Sequence, residues 1–325
     1  MPLLEVDSLA VDYRTSRGTV HAVNDVSFFL EKGETLGLAG ESGSGKSTLG
    51  LSIIRLVPYP GVIGKGQIKI YGRDIVALPE QEMQTIRGRE VAYVFQDPMI
   101  SLNPVKKIGG HFVELIRTHE PNVSKKEAFE RAKTVLKNLG IQPERINDYP
   151  HQFSGGMRQR IMIGLAIALN PYLVIADEPT TALDVIVQAK ILDLLESLRK
   201  AYQMALILIS HDLSIILERC DKIIVMYAGH MVEYADGTEL HDRPVHPYTQ
   251  KLLQSIPNVE LSDQKLTAIP GSPPDMLNPP NGCRFWPRCS HAMEICRVKE
   301  PSLIDIDRNH LVRCFLYGER GAQSE

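Results

Sequence analysis

A glycine-rich segment between two apolar stretches constrains the fold of this chain more than any other feature. Residues 40–48 read GESGSGKST, which satisfies the pattern G-x-x-x-x-G-K-[ST]. The preceding ETLGLAG is an apolar run suited to a buried parallel strand, and the following STLGLSIIRL repeats its apolar residues as a helix does. Strand, glycine loop and helix in this order predict a phosphate-binding loop in an α/β fold.

The residue types in this loop suit a nucleotide bound with Mg²⁺. Glycines allow backbone N–H groups to curl around a phosphate, Lys46 supplies a point charge for the β and γ phosphates, and the Ser47 hydroxyl can ligate Mg²⁺. A Gly–Ser turn before a helix is the alternative interpretation, and the full match in its context disfavours it. The predicted nucleotide-binding residues are Gly40, Ser42, Gly43, Ser44, Gly45, Lys46, Ser47 and Thr48.

Two adjacent carboxylates follow a second apolar run, LVIADE, at residues 173–178. Asp177, at the carboxyl end of the predicted strand, suits a Mg²⁺ partner beside the phosphate loop. Glu178 projects differently and can polarise an attacking water as a general base. A solvated turn is the other interpretation of two neighbouring acids, and the strand that leads into them favours catalysis.

The segment FSGGMRQR, residues 153–160, predicts a second helix N-terminus that binds an anion. Ser154 suits the N-cap, and Gly155 and Gly156 leave the first amides of the helix open. One nucleotide needs only one such terminus. A second one therefore implies a second nucleotide partner.

Charge and hydropathy exclude several other classes of protein. The formal net charge of −3 and the pI near 6.4 give no reason to expect a nucleic-acid partner. The chain contains no run of 18 apolar residues, and its start lacks a basic region followed by an apolar stretch. We therefore expect neither a transmembrane segment nor a secretory signal, and a reducing, cytoplasmic environment in which disulfides are rare.

In their order along the chain, these segments resemble the ATP-binding subunits of ABC transporters, and the resemblance covers essentially the whole sequence. The matching elements are the adenine-stacking aromatic Tyr13, Walker A at residues 40–48, the Q-loop residue Gln96, the FSGGM signature, Walker B with Asp177 and Glu178, the D-loop residue Asp184 and the switch histidine His211. The signature departs mildly from the commonest family sequence, LSGGQ, at Phe153 and Met157.

The resemblance implies a head-to-tail dimer in which each ATP lies between Walker A of one subunit and the signature of the other. It implies a companion ATPase subunit, which the family branch suggests is a paralogue. It also implies that Gln96 and His211 sense the γ phosphate, that Gln96 joins Ser47 and Asp177 around Mg²⁺, and that Asp184 lies near the nucleotide.

The sequence divides into three predicted regions. We expect an ATP-binding core at residues 1–96 and 159–239, which combines a parallel sheet and helices with an N-terminal antiparallel β region. A helical signature subdomain is expected at 97–158, and in the family this segment faces the membrane-spanning subunits. Residues 240–325 predict an irregular C-terminal extension, because eight prolines lie between Pro244 and Pro280.

The phrases HPYTQKLL and GCRFWPRC in this extension resemble importer ATPases for dipeptides and oligopeptides. The resemblance implies a peripheral subunit at the cytoplasmic face of the membrane that powers peptide import. Its implied partners are two transmembrane permease subunits and an external peptide-binding protein. A nickel importer ATPase of the same branch, or a soluble ABC ATPase such as an iron–sulfur assembly type, is the alternative.

Four of the five cysteines lie in the extension, with the spacing C-x5-C-x6-C-x17-C. Zinc sites bring their ligands in tight C-x2-4-C pairs, which this pattern lacks, whereas iron–sulfur clusters accept more varied spacings. The resemblance implies a [4Fe–4S] cluster, with zinc and unligated thiols as the alternatives. The implied ligands are Cys283, Cys289, Cys296 and Cys314.

Overall fold

A computed structural model describes residues 1–97, 101–181, 183–256, 269–307 and 309–318. The described residues divide into two compact units. The first unit comprises Met1–Leu30, Thr35–Val76 and the described residues from Leu208 onwards. The second comprises Glu31–Glu34 and the described residues of 77–207. Within the described part of the chain, no helix has the length and apolar character needed to cross a bilayer.

The strands and helices are numbered in chain order. The strands of the described residues are β1 (Leu4–Thr15), β2 (Gly18–Leu30), β3 (Thr35–Ala39), β4 (Gly61–Ile70), β5 (Arg73–Asp74), β6 (Val91–Val94), β7 (Leu173–Asp177), β8 (Ala205–Ile209), β9 (Lys222–Tyr227), β10 (His230–Asp236), β11 (Ile304–Asp307) and β12 (His310–Val312). The α-helices are α1 (Lys46–Ile53), α2 (Glu80–Ile86), α3 (Ile108–His119), α4 (Lys125–Asn138), α5 (Gly155–Ile167), α6 (Val185–Tyr202), α7 (Leu213–Arg219), α8 (Gly237–Asp242), α9 (Pro247–Gln254), α10 (Glu294–Val298) and α11 (Phe315–Gly318).

The first unit contains the predicted antiparallel region and part of the parallel sheet. Strands β2, β1, β4 and β5 form an antiparallel sheet in that order. A second set of strands has the order β11, β12, β10, β9 and β3, in which β3 and β9 run parallel. All five residues of β3 are buried, as its apolar sequence predicts for a central parallel strand.

The second unit carries the remaining parallel strands and most of the longer helices. Strands β6 and β7 are parallel, and β7 neighbours β8, which begins in this unit. Every residue of β7 and β8 is buried. The Ser124 side chain caps α4 by accepting a hydrogen bond from Glu127 N, and the chain leaves the helix at Gly140 with φ of +70°. The predicted α/β architecture is confirmed.

The extension contains more regular structure than its prolines predict. Helix α9 begins with Pro247 in its first turn, where proline is tolerated, and β12 pairs with β10 through Glu233 and Val312. Strand β11 in turn pairs with β12. The extension thus lengthens the sheet of the first unit by two short strands. Residues 257–268, within the predicted proline-rich stretch, lie outside the described residues.

Candidate functional site

The phosphate loop joins β3 to α1 in the first unit, as predicted, and its glycines are required by both conformation and space. Gly40 and Gly45 have φ of +143° and +105°, which side chains rarely adopt. A Cβ atom at Gly40 would lie 2.2 Å from Met226 O, and one at Gly45 would lie 2.3 Å from Ala22 O. Backbone oxygens of Met226 and Ala22 therefore leave no room for a side chain at either glycine.

Lys46 lies inside the loop. Its side chain is buried, and its Nζ atom donates hydrogen bonds to Gly40 O at 2.7 Å and to Glu41 O at 3.0 Å. These carbonyl oxygens replace the water that the ammonium group loses on burial, and they offset the cost of burying its charge. Ser44 is buried beside it, whereas the Ser47 side chain at the start of α1 is exposed. The positive charge of Lys46 therefore lies within the phosphate loop.

Two further predicted residues belong to the first unit. Tyr13 on β1 is half-buried, and its Oη atom lies 3.4 Å from the Thr48 hydroxyl at the start of α1. The Tyr13 hydroxyl is therefore next to the helix that follows the phosphate loop. His211 is exposed and lies two residues after the end of β8, and the adjacent Asp212 caps α7 by accepting a hydrogen bond from Ser214 N.

The carboxylate pair ends β7 in the second unit. Asp177 is buried, and Tyr93 Oη donates a hydrogen bond to its Oδ2 atom at 2.7 Å. Burial, followed by the negative charge of Asp177, raises the pKa of Tyr93 far above its usual value. Tyr93 therefore remains a neutral donor that orients the carboxylate. The sequence analysis missed Tyr93, although an aromatic residue in a strand just before Gln96 was a possible signal.

Glu178 adopts a left-handed backbone conformation with φ of +44°, which costs free energy for a residue with a side chain. Its Oε2 atom accepts hydrogen bonds from Gln96 Nε2 at 3.2 Å and from Thr181 Oγ1 at 2.9 Å. The structure therefore brings two of the predicted catalytic residues, Gln96 and Glu178, into contact. Thr181 is a further partner of Glu178 that the sequence analysis missed.

The predicted signature and the D-loop residue cap two neighbouring helices of the second unit. Ser154 caps α5 by accepting a hydrogen bond from Met157 N at 3.4 Å, and Asp184 caps α6 by accepting one from Val187 N at 2.9 Å. A Cβ atom at Gly156 would lie 2.7 Å from the Val187 side chain. The glycine therefore lets the two helix N-termini approach each other closely.

The four cysteines of the extension lie in the first unit, and their thiols influence one another. Burial, assisted by repulsion from the other thiols, raises the pKa of Cys283 to about 11 and that of Cys314 to about 12. Backbone N–H groups donate to Cys289 Sγ and Cys296 Sγ at 3.4 and 3.5 Å. Among the residues that the structure describes, no group of three or more His, Cys, Asp or Glu side chains is placed to hold a metal ion.

The fifth cysteine packs as an apolar residue. Cys220 is buried, and its side chain lies beside Gly37 of β3, where an added Cβ would be 3.1 Å from its Sγ atom.

Comparison with known proteins agrees with this geometry. The family model described as "ABC transporter" matches residues 23–181, and the model described as "Oligopeptide/dipeptide transporter, C-terminal region" matches residues 232–296. The dimeric structure of MJ0796, a bacterial ABC transporter cassette, has a TM-score of 0.64 and 27% sequence identity, and the match covers 72% of this chain and 98% of that chain.

Two curated relatives match nearly the full chain. The oligopeptide transport ATP-binding protein OppD of Bacillus subtilis (strain 168) is 48% identical over 97% of this chain and 88% of its own length. The dipeptide transport ATP-binding protein DppD of Lactococcus lactis subsp. cremoris (strain MG1363) is 43% identical over 98% of this chain and 92% of its own length.

The fold and the ordered motifs thus define an ABC-type ATPase. More narrowly, the chain belongs to the family of oligopeptide and dipeptide transport ATP-binding proteins, because relatives of that family match it at 42–48% identity over nearly its whole length.

Proposed function

We propose that this chain is the ATP-hydrolysing subunit of a membrane importer for short peptides. The observation that carries the proposal is the match of the C-terminal region to the oligopeptide/dipeptide transporter model. The Lys46–Gly40 and Gln96–Glu178 hydrogen bonds support it. A soluble ABC ATPase would not need this C-terminal region. The relatives named above are called oligopeptide or dipeptide transport proteins, and neither is named for nickel.

We assign the chemical roles as follows. Lys46 and the loop amides hold the ATP phosphates, and Ser47 and Asp177 are ligands for Mg²⁺. Glu178 activates the attacking water, and the bonds from Gln96 and Thr181 hold its carboxylate in place. Tyr13 stacks on the adenine ring, and His211 senses the γ phosphate.

Glu178→Gln tests the catalytic role. The variant keeps the shape of the side chain but loses the general base, so we expect it to bind ATP and to turn it over at least about a hundredfold more slowly. Steady-state hydrolysis by the reconstituted complex measures the rate. Turnover at the wild-type rate would contradict the assignment.

The remaining part of each nucleotide site is proposed to come from a second ATPase subunit. The Ser154 terminus and the exposed side chains of Val185 and Ile186, which follow the D-loop, suit such an interface. Ser154→Ala should therefore impair hydrolysis at the partner's Walker A site, whereas Lys46→Ala should abolish ATP binding at this chain's own site. Full activity of the isolated chain, first order in protein, would contradict a shared site.

We further propose that the complex includes two transmembrane permeases and works with an external peptide-binding protein. In this assembly the chain is peripheral at the cytoplasmic face, and the helical subdomain at 97–158 faces the permeases. Uptake by vesicles that contain the reconstituted complex tests the substrate class. We expect ATP-dependent accumulation of labelled di- to oligopeptides. Accumulation of Ni²⁺ and not of peptide would favour the nickel-importer alternative.

The four cysteines are proposed to hold a [4Fe–4S] cluster with a structural role. Thiolates are the usual ligands of such a cluster, and residues 283–314, here called the cysteine module, supply four of them. In the described residues the four thiols are not placed to hold a metal ion together, so binding of a cluster would have to bring them closer. In addition, Trp286 Nε1 is buried and has no hydrogen-bond partner among the described residues, so it is a donor for which inorganic sulfide is a suitable acceptor. When bound, a cluster would supply the cross-links that a proline-rich segment with few apolar residues lacks.

Anaerobic purification tests the cluster. We expect brown protein that contains iron and sulfide, and emission from Trp286, the chain's single tryptophan, that is quenched until the cluster is removed. A serine at any of the four positions should bleach the colour and leave ATP binding measurable. Colourless protein that contains one zinc and no iron would replace the cluster by zinc and preserve the structural role.

A further inference from the structure

The second residue of the phosphate loop, Glu41, is held in the first unit through its carbonyl oxygen, its backbone N–H and its carboxylate. Its carbonyl oxygen accepts the hydrogen bond from Lys46 Nζ described above, and its backbone N–H donates to Tyr248 Oη at 2.9 Å. Its carboxylate forms a bidentate ion pair with Arg288, whose Nη1 and Nη2 atoms lie 2.6 and 3.0 Å from the two carboxylate oxygens. Backbone and side chain of one loop residue are thus both held by the C-terminal extension.

Arg288 stands immediately before Cys289 and is itself fixed. It is 7% exposed, its Nε atom donates to Pro270 O at 2.9 Å, and its carbonyl oxygen accepts a hydrogen bond from Lys251 Nζ at 2.8 Å. Its guanidinium group also contacts Tyr227 Oη at 3.3 Å. A planar guanidinium held at several atoms imposes a geometry that a flexible lysine could not.

Backbone hydrogen bonds of Cys283 and Cys289 close the turn that carries Arg288. The 3₁₀ helix Trp286–Arg288 lies between Cys283 and Cys289. Trp286 N donates to Cys283 O at 3.1 Å, and Cys289 N donates to Trp286 O at 3.2 Å. Cys283 N in turn donates to Cys296 O at 2.9 Å. Any ligand that cross-links these thiols therefore also fixes the backbone that carries Arg288.

A buried aromatic cluster supports the same arrangement. The Phe285 ring lies 5.1 Å from the ring of Tyr227 and 5.3 Å from that of Tyr248, measured between centroids. All three side chains are at most 1% exposed. Phe285, which lies between Cys283 and Cys289, is thus packed against Tyr248, and Tyr248 hydrogen-bonds the backbone of Glu41.

We propose that Arg288 is a positioning residue for the phosphate loop, and that it couples the state of the four-cysteine site to ATP affinity. The ion pair with Arg288 neutralises the Glu41 carboxylate. Without Arg288, an unpaired carboxylate in the phosphate loop repels the ATP phosphates. Thiols joined by a shared ligand hold Arg288 in place, and thiols without that ligand release it.

The inference rests on the proposed ATP site, and equilibrium binding of MgATP to the full-length chain tests it. Arg288→Met keeps the aliphatic length and removes the charge, and we expect it to raise the Kd for ATP about tenfold, on the scale of one charge-assisted hydrogen bond. Adding Glu41→Gln to this variant removes the unpaired carboxylate and should return the Kd to within about threefold of wild type. Arg297→Met, beside Cys296, is the matched control and should leave the Kd unchanged.

A merely structural role for Arg288 predicts a different pattern. If Arg288→Met acts by loosening the module, Glu41→Gln will not restore ATP affinity, and that result would overturn the positioning role. An unchanged Kd in Arg288→Met would overturn it as well. Failure of the wild-type chain to bind MgATP would instead contradict the proposed function, so the two failures are distinguishable.

Cys289→Ser tests the coupling to the thiol site. We expect it to raise the ATP Kd about as much as Arg288→Met and to add little in the Arg288→Met background, because both changes act through the same contact. Trp286 emission, measured on the same samples, reports whether the module has opened. Full additivity of the two substitutions, or no effect of Cys289→Ser on the Kd, would show that the thiols do not act through Arg288.

Discussion

The stability of the C-terminal extension should depend on pH through a buried histidine at the start of α9. His246 is 1% exposed, and its Nδ1 atom accepts a hydrogen bond from Tyr248 N at 3.0 Å. The acceptor role requires a neutral ring with its proton on Nε2. Burial lowers the pKa of His246 from 6.5 to about 4, although the nearby Glu233 carboxylate opposes this shift.

The sign and size of the effect follow from linkage. Because the unfolded state binds a proton near pH 6.5 and the folded state does not until near pH 4, the contribution of His246 to stability is present above pH 6.5 and is lost as pH falls between these values. The full difference in pKa corresponds to about 3 kcal/mol, and about 2 kcal/mol of it is lost by pH 5. His310 opposes this trend, because its carboxylate partner Glu233 raises its pKa.

His246→Asn isolates the effect, because asparagine preserves an N-cap acceptor for Tyr248 N and does not titrate. Urea unfolding of reduced protein, followed by the emission of Trp286, should be compared at pH 7.5 and pH 5. Between these values, wild type should lose about 2 kcal/mol more stability than the variant. Equal losses in the two proteins would refute the assignment of this pH dependence to His246.

Three further substitutions test individual contacts. Thr181→Val removes one of the two donors to Glu178 and should lower kcat about tenfold with little change in KM for ATP, whereas Thr181→Ser should retain the wild-type rate in steady-state assays. Gly156→Ala places a methyl group 2.7 Å from a side chain of α6 and should cost about 1–3 kcal/mol in thermal unfolding, whereas Gly155→Ala meets only an ordinary contact at 3.6 Å and should cost less. Lys46→Ala should abolish measurable binding of a fluorescent ATP analogue, with unchanged thermal stability as evidence against misfolding.

Sequence reasoning succeeded where the determining contacts are local. A helix cap such as Ser124 or Ser154 depends on an amide three residues away, and the turn at Ala228–Gly229 depends on the positive φ of two adjacent residues. Each of these structures is therefore determined by residues that are only a few positions apart in the sequence. The cap at Ser154 and the phosphate loop are therefore predicted at their observed positions.

Contacts between distant segments could not be predicted in the same way. Glu41 and Arg288 are 247 positions apart, and neither residue type by itself indicates its partner. Strand β12 is only three residues long and follows a proline-rich stretch, so it lacks the alternating pattern that identifies a strand. The cysteines could be read as a ligand set, but nothing in their spacing indicates that the intervening arginine reaches the phosphate loop.

One buried carboxylate explains why the extension forms an integral part of the first unit. Glu233 on β10 is fully buried, and it accepts hydrogen bonds from Val245 N at 2.8 Å, from His246 N at 3.0 Å and from His310 Nε2 at 2.8 Å. An isolated buried carboxylate would be strongly destabilising, so the charge is tolerated only while all three donors stay in place. The donors come from the start of α9 and from β12, two segments that are distant in sequence. Folding of β10 therefore favours docking of both ends of the extension, and α9 carries the tyrosine that binds the phosphate loop. The extension thereby becomes part of the structure that shapes the nucleotide site.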